Sequence, residues 1–528
     1  MLRVTLYQQS LDEVDPDEVR LAPDAFERCL RDALPRLASV EDFADFYEED
    51  GAASRCPLQL LGMELLKYRY DLSDREVVER CLRDLGFRYA IGLRKGDGPP
   101  STATLTRFRA KLRALKGDDF VQQRVLELAR EDGVLTDTGL QAVDSTNMDC
   151  RGAIIDTFNL VAAGIRQVIR QVAGCLEDKP GTLARRWNLE RYLARSIKGQ
   201  VSIDWSDRAA RDALITEEIG DAEQLVQQVA DLQVTLPPAV VAAVELLQRV
   251  ARQDVDEKAD GTFEIAQRTV RDRVISITDP EARHGRKSAS KLIEGFKMHI
   301  MGTIESQFVT SVVITDAGTH DARPTTALIE QAEQFGLKPS EAVGDAAYGT
   351  GANVRRAAEH GVDVVTKQPA PSHKGSIPKR DFEIDLESQR VSCPGGATTN
   401  TFSWVKASGA EERVQRFVFD KGDCQGCSLR MNCCKATAKG RARGVILNVH
   451  EPELQRLKTF NASPRARQVL RKRSAIERLI SHLVRMGMRH ARFFGMQKAQ
   501  FQGYMTAAAY NLQRLFTLKA SSPKPSPT

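Results

Sequence analysis

Apolar side chains recur every three to four residues between positions 58 and 115, and this spacing predicts three helices. LQLLGMELLKYRY forms the first, and Ser73-Asp-Arg-Glu76 is a capping box that opens the second. After the loop KGDGPPS, the third runs through TATLTRFRAKLRALK, with Arg107, Arg109, Lys111, Arg113 and Lys116 along it. A trihelical unit with a basic last helix suits a major-groove reader, or a small bundle with a wet basic face. Ahead of it, residues 1 to 50 are acidic and predict a short strand or arm, then a helix.

Past Asp132-Gly133 the period shortens, and Leu140-Gln-Ala-Val-Asp144 reads as a strand ending in an acid. Helical spacing returns from Ile154 to about Gln253, including the arginine-rich piece LARRWNLERYLARSIKG, and this stretch reads as an insertion. Strands resume with RVISIT, FKMHIMG and FVTSVVIT. A helix over 324–335, a strand over 341–345, a helix over 353–360 and the strand VDVVTK follow. Such alternation predicts an α/β sheet whose parallel strands present residues at their C-terminal ends, where Asp144 and Asp345 both fall. Residues 368 to 450 are rich in Gly, Pro and Cys and form a second insertion. Ser463-Pro464 then caps a helix that Gly487 stops, and another follows over 496–518. SSPKPSPT predicts a disordered tail. The expected division is 1–125, helical; 126–153 and 266–367, the α/β core; 154–265, helical insertion; 368–450, Cys-rich insertion; 451–519, C-terminal helices; and 520–528, tail.

Charge changes this picture more than composition does. Of 528 residues with net charge +5, positions 401–528 hold 24 Lys and Arg against 7 Asp and Glu, or +17, which leaves −12 for the first 400. A polyanion such as nucleic acid would meet the C-terminal part. No apolar run reaches membrane-span length and the first residues lack the order of a signal peptide, so a soluble cytoplasmic protein is expected.

Within that basic region Glu477 is the sole acid between Pro464 and Arg492, among nine Arg and Lys, and Arg473 lies one turn before it, placed to orient it. Two strand-end aspartates and this glutamate are suitable hardware for two-metal phosphoryl transfer, since Mg²⁺ or Mn²⁺ prefers carboxylate oxygens. Cys393, Cys424, Cys427 and either Cys433 or Cys434 have the spacing of a structural Zn²⁺ site in a segment with little core. Lys435, Lys439, Arg441 and Arg443 follow them.

AVDST (142–146), AVGDAAYGT (342–350) and RSAIERL (473–479) followed by MRHARFFGMQKAQFQGYMTAAAYNLQRL resemble the three acidic blocks of bacterial insertion-sequence DDE transposases. YDLSDREVVERCLRDLGFRYAIGL and STATLTRFRAKL resemble their N-terminal domain. The resemblance implies an RNase H-like catalytic core with an N-terminal α-helical domain, in which Asp144, Asp345 and Glu477 hold two Mg²⁺ or Mn²⁺ ions. Asp321 is implied as a support residue or an alternative second ligand, beside Tyr348. The Tyr-x2-Arg-x3-Glu-x6-Lys signature of these enzymes keeps Arg473 and Glu477 but meets Leu470 and Val484 at its ends, with Arg485 one position past the lysine. The resemblance implies that residues 1–125 bind DNA ends, with DNA contacts expected from Arg107, Arg109, Lys111, Arg113, Lys472, Arg473 and Arg485, and that the insertion between the second Asp and the Glu lies close enough for Lys435, Lys439, Arg441 and Arg443 to touch DNA.

The implied activity is binding of terminal inverted repeats, metal-dependent cleavage, and strand transfer into target DNA by a homodimer associated with the bacterial nucleoid. A nuclease without strand transfer and a transposase-derived DNA-binding regulator with dead chemistry are the alternatives.

Overall fold

The computed structural model describes residues 20–47, 54–94, 96–267, 270, 272–286, 291–367, 377–406, 412–434 and 442–521. The arm expected at the extreme N-terminus, the tail beyond 521, and Lys435, Lys439 and Arg441 lie outside these residues.

A mixed sheet organises the middle of the chain. Its strands are β1 (Leu140–Asp149), β2 (Arg283–Arg286), β3 (Leu292–Thr303), β4 (Val309–Asp316), β5 (Glu341–Val343) and β6 (Asp363–Val365). The spatial order is β2-β3-β1-β5-β6, with β4 also paired to β3. A short connection makes β4 antiparallel to β3, and β3 is antiparallel to β1. The helices Thr325–Gln334 and Gly351–Glu359 carry the chain back so that β5 and β6 run parallel to β1. Buried Phe296, Met298, Ile300 and Met301 on β3 show why FKMHIMG reads as nearly continuous apolar sequence.

β1 differs from its expected form. It does not stop at Asp144 but continues to Asp149 against β3, and only its parallel pairing with β5 ends early, at Ala142↔Val343. RVISIT is a buried irregular segment rather than a strand, because Ile275 bonds through its carbonyl to the Ile155 N–H instead of joining a ladder. The helix expected from Pro464 to Gly487 falls into the segments Pro464–Lys472 and Ser474–Leu483, which meet at Arg473, itself helical at φ −52°, ψ −31°. Ser463 caps it as expected, accepting the Ala466 N–H. A widened turn over Val484–Met488 ends it, with Gly487 at φ +89°, a left-handed conformation that glycine adopts without Cβ strain.

N-terminal helices, among them Pro57–Arg69, Thr102–Leu115 and Phe120–Glu131, share one apolar core with the sheet and the long helix Met496–Ser521. The capping box is formed, with Ser73 and Glu76 each bonded to the other's backbone. Residues 157–253 fold into helices around Ile165, Leu214, Ile219 and Leu247, closed by the hairpin Val255–Glu257 and Phe263–Ile265. Two small three-stranded sheets enclose Phe382, Val391, Phe417 and Val445 in the Cys-rich segment.

Candidate active site

Parallel register determines where the two aspartates stand. Asp144 and Asp345 each lie two residues past the rung Ala142↔Val343, the last pair of the two strands. Beyond that rung the chains part: β1 continues, while Asp345 turns to cap the short helical turn Ala346–Gly349 by accepting the Ala347 N–H at 2.8 Å. Burial, chiefly, pushes the Asp144 carboxyl up to about 6, and the negative charge of Asp345 adds to this. The Ser145 N–H, at 2.8 Å, and Arg473 act in the opposite direction.

Arg473 connects the third acid. One terminal nitrogen donates to Glu477 Oε1 at 2.7 Å and the other lies 3.5 Å from Asp144 Oδ2. The i,i+4 pairing read from sequence is therefore present, and it also reaches across to the sheet. The helix bearing Glu477 can come this close because β3 has Gly302 beneath it, where a Cβ would lie 2.7 Å from the Leu479 side chain. The chain after that helix then fastens the far end of β1: the Asp149 N–H donates to the Arg489 carbonyl at 2.8 Å and the Ala491 N–H to the Asp149 carbonyl at 2.9 Å. Arg489 also donates to the Asn147 carbonyl at 3.0 Å.

A fourth carboxylate stands nearby. Burial raises the Asp321 carboxyl, but the Lys297 ammonium, 2.9 Å away, outweighs it and the net shift is downward. Tyr348 is fully buried, its hydroxyl among Asp144, Asp321 and Asp345. His299, on β3, is held near 4 by burial, and its Nε2 lies 3.0 Å from Thr315 Oγ1. Lys297, His299 and Arg489 were not singled out from sequence. The signal for the first two is a pair of polar residues inside an otherwise apolar strand.

The basic residues expected to meet DNA separate into different environments. Arg109 is corrected outright: it is buried and donates to Glu64 at 2.7 Å and Asp74 at 2.6 Å, where Lys67 joins them. A buried Glu64 has to be neutralised, so Arg109 is structural. Arg113 pairs with Asp118 at 2.7 Å and lies over the Phe501 ring, and Lys111 donates to the Phe46 carbonyl. Arg107 is exposed and, among the described residues, bonds along its own helix to the Ala103 carbonyl. Lys472 meets Glu305 at 2.9 Å. Arg485 is exposed, with Nη2 3.2 Å from His482 Nδ1. Val484 is half-buried beside it, and Leu470 packs against the core, so both departures from the family signature are apolar side chains, one of them used for packing.

Cys393, Cys424, Cys427, Cys433 and Cys434 line one small pocket. Gly395 makes room for them, since a Cβ there would stand 2.9 Å from Cys427 Sγ and 3.6 Å from Cys393 Sγ. Burial pushes the Cys433 thiol up to about 11. Arg443 is a brace here rather than a DNA contact, donating to the Cys433 and Ile377 carbonyls at 3.0 and 2.9 Å. Among the described residues, no group of three or more His, Cys, Asp or Glu is close enough to hold a metal ion. That holds for the thiols and for the carboxylates alike.

Residues 392–516 match the transposase DDE domain, and residues 16–111 match a transposase domain (DUF772). Both matched stretches thus point to one class, the transposases. Together they support an insertion-sequence DDE transposase. The DDE domain implies a ribonuclease H-like α/β core, and the mixed sheet and its flanking helices agree with it. Glu477, Arg473 and the cysteine cluster lie inside the first matched stretch, whereas Asp144 and Asp345 lie outside both. Over 123 residues the chain is 28% identical to an uncharacterized protein, ORF8 in the nfe locus of Rhizobium meliloti, covering 22% of this chain and 59% of that protein. No solved structure matches. Among the described residues no helix is long and apolar enough to cross a membrane.

Proposed function

We propose that this chain binds the terminal inverted repeats of its own element, cleaves DNA at the element's 3′ ends and joins the freed 3′-OH to target DNA, with Asp144, Asp345 and Glu477 as the catalytic acids. One observation carries the reading: Asp345 follows directly on the strand paired with β1, its charge is felt by Asp144, and Arg473 links Asp144 to Glu477. Their oxygens suit a hard divalent cation, and a raised Asp144 beside a second carboxylate is a site short of positive charge. The three acids, which do not form a ready-made metal site, would have to draw closer to hold two Mg²⁺ or Mn²⁺ ions, and such ions would supply a nucleophile at neutral pH and offset charge on the leaving oxygen.

The chain's own side chains do the rest. Arg473 orients Glu477 and, on releasing Asp144, has a guanidinium free for a scissile phosphate. Lys297 fixes Asp321, which with buried Tyr348 holds the wall behind Asp144. Arg107 and Arg485 face solvent, positioned for phosphates outside the reacting centre. Two ends must be cut and joined together, which favours a homodimer on DNA, and the substrate places the protein in the bacterial cytoplasm at the nucleoid.

The Cys-rich segment is proposed to hold one structural Zn²⁺ on Cys393, Cys424, Cys427 and Cys433, which share a pocket with Cys434 and would have to draw closer together to ligate it. Purified protein should contain about one Zn per chain, and Cys424→Ser or Cys427→Ser should lose it together with thermal stability of the segment. Full metal retention in both variants contradicts the site.

The functional test is a joining assay on DNA from the element's ends with Mg²⁺. Cleavage followed by strand transfer is expected. Cleavage without joining leaves a metal-dependent nuclease, and binding with neither leaves a DNA-binding regulator.

A further inference from the structure

A groove of about 880 Å³ runs between the helix Thr157–Cys175, the 276–280 loop and the exposed ring of Phe494. One face of that helix, with Leu160, Val161, Ile165, Val168, Ile169 and Val172, is buried in the insertion's core. The face toward the groove bears Arg166, Gln167, Arg170 and Gln171, spaced so that they form one surface. Arg195 also lines the groove.

The residues lining the groove include no carboxylate. Of the acids next to them in sequence, Asp279 accepts the Gly495 N–H at 3.1 Å and keeps its other oxygen buried without a hydrogen-bond partner, Glu281 accepts the Met496 N–H at 2.7 Å, and Asp156 pairs with Lys198 at 3.3 Å. Within the arginine-rich segment, Arg186 pairs with Asp178 and Arg191 with Glu217 and Asp221. Arg195 and Arg170, by contrast, make no ion pair among the described residues. Arg166 donates through Nε to the Tyr192 carbonyl at 2.8 Å, and burial, with Arg170 beside it, pulls it below the usual guanidinium range. At the rim, Arg151 stacks over Phe494 at 5.3 Å.

We infer that this groove holds the phosphate backbone of duplex DNA flanking the bond that is cut at the carboxylates. Guanidinium forks and glutamine amides in a groove that no carboxylate lines are the chemical complement of phosphate oxygens. The distance is suitable as well. The strand and turn from Ser145 to Ala153 span at most about 32 Å, and a duplex places a phosphate on each strand about every 3.4 Å. Within about nine base pairs, then, one duplex reaches from the acids to the groove. The inference rests on the transposase reading for its substrate but uses residues outside the catalytic site.

The test uses the full chain and a fluorescein-labelled 40-bp duplex of arbitrary sequence, titrated from low to moderate KCl. Arg170→Ala/Arg195→Ala should reduce the slope of log K against log salt by about 2, roughly one per lost phosphate contact, and weaken low-salt binding roughly tenfold. Arg170→Lys/Arg195→Lys should keep the slope. Both side chains are exposed, so the variants fold, and matched thermal melts check it. An unchanged slope in Arg170→Glu/Arg195→Glu overturns the inference. A change in sedimentation without a change in DNA affinity also overturns it, and gives the groove to a protein contact. Asp144→Asn separates the two readings: lost cleavage with groove variants at full affinity removes the groove alone, and retained cleavage with weakened groove variants removes the catalytic assignment alone.

Discussion

Arg473 performs two tasks that sequence alone shows as one. Its spacing to Glu477 is visible along the helix, but its approach to Asp144 depends on the helix crossing the sheet. Arg473→Ala should therefore slow single-turnover cleavage by roughly 10- to 100-fold, as loss of a residue that orients a metal ligand does, with little change in DNA affinity. Equal loss of affinity and rate would make it a plain phosphate contact. Arg109 is the opposite case. Sequence shows its charge but not its burial, and the warning lay in Glu64, an acid inside the apolar run LQLLGMELL that needed a partner. Glu218 is a second buried acid. Burial pushes its carboxyl up to about 9, and both its oxygens lack a hydrogen-bond partner. The folded state then binds a proton that the unfolded state releases near 4.5. Its contribution is fully present below that pH and is lost as pH rises toward 9. Urea melts should show stability falling between pH 5 and 9 in the wild type, and Glu218→Gln should flatten that slope. Parallel pH profiles would show that Glu218 does not titrate there.

Gly302 sets how closely the helix Ser474–Leu483 lies on the sheet. Gly302→Val would crowd Leu479 and the Phe308 carbonyl, costing about 1–3 kcal/mol of stability, and would move Glu477 away from Asp144. The expected result is a folded protein with lowered thermal midpoint and cleavage reduced far more than DNA binding; unchanged cleavage would mean that the helix does not set the position of the acid. Element types were mostly legible, because β3, β4 and the two crossover helices have clear periods and the caps at Ser73 and Ser463 are chemically explicit. What was not legible were tertiary choices. RVISIT has strand composition, yet Ile275 bonds to the loop at Ile155, and a buried apolar run carries no mark of which backbone partner it will take. The acid at 144 looked like a strand end because only one of β1's two neighbours stops there.

Across the whole molecule, charge and chemistry are distributed unevenly. The +17 of the last 128 residues surrounds Glu477, while the first 400 residues are net acidic. Even so, the groove on the helical insertion gathers arginines within that acidic part, which a sum over segments conceals. The acids of the proposed site come from three distant parts of the chain, and no spacing rule joins them. It is the register of β1 with β5 and the crossing of Arg473 that bring them together. The most direct test is Mg²⁺-dependent cleavage of DNA from the element's ends by wild type and by Asp144→Asn, Asp345→Asn and Glu477→Gln, with binding measured on the same DNA. The account predicts that each substitution abolishes cutting while leaving affinity within a few-fold of wild type. Wild-type cleavage by any one of the three would remove that carboxylate from the site and contradict the assignment.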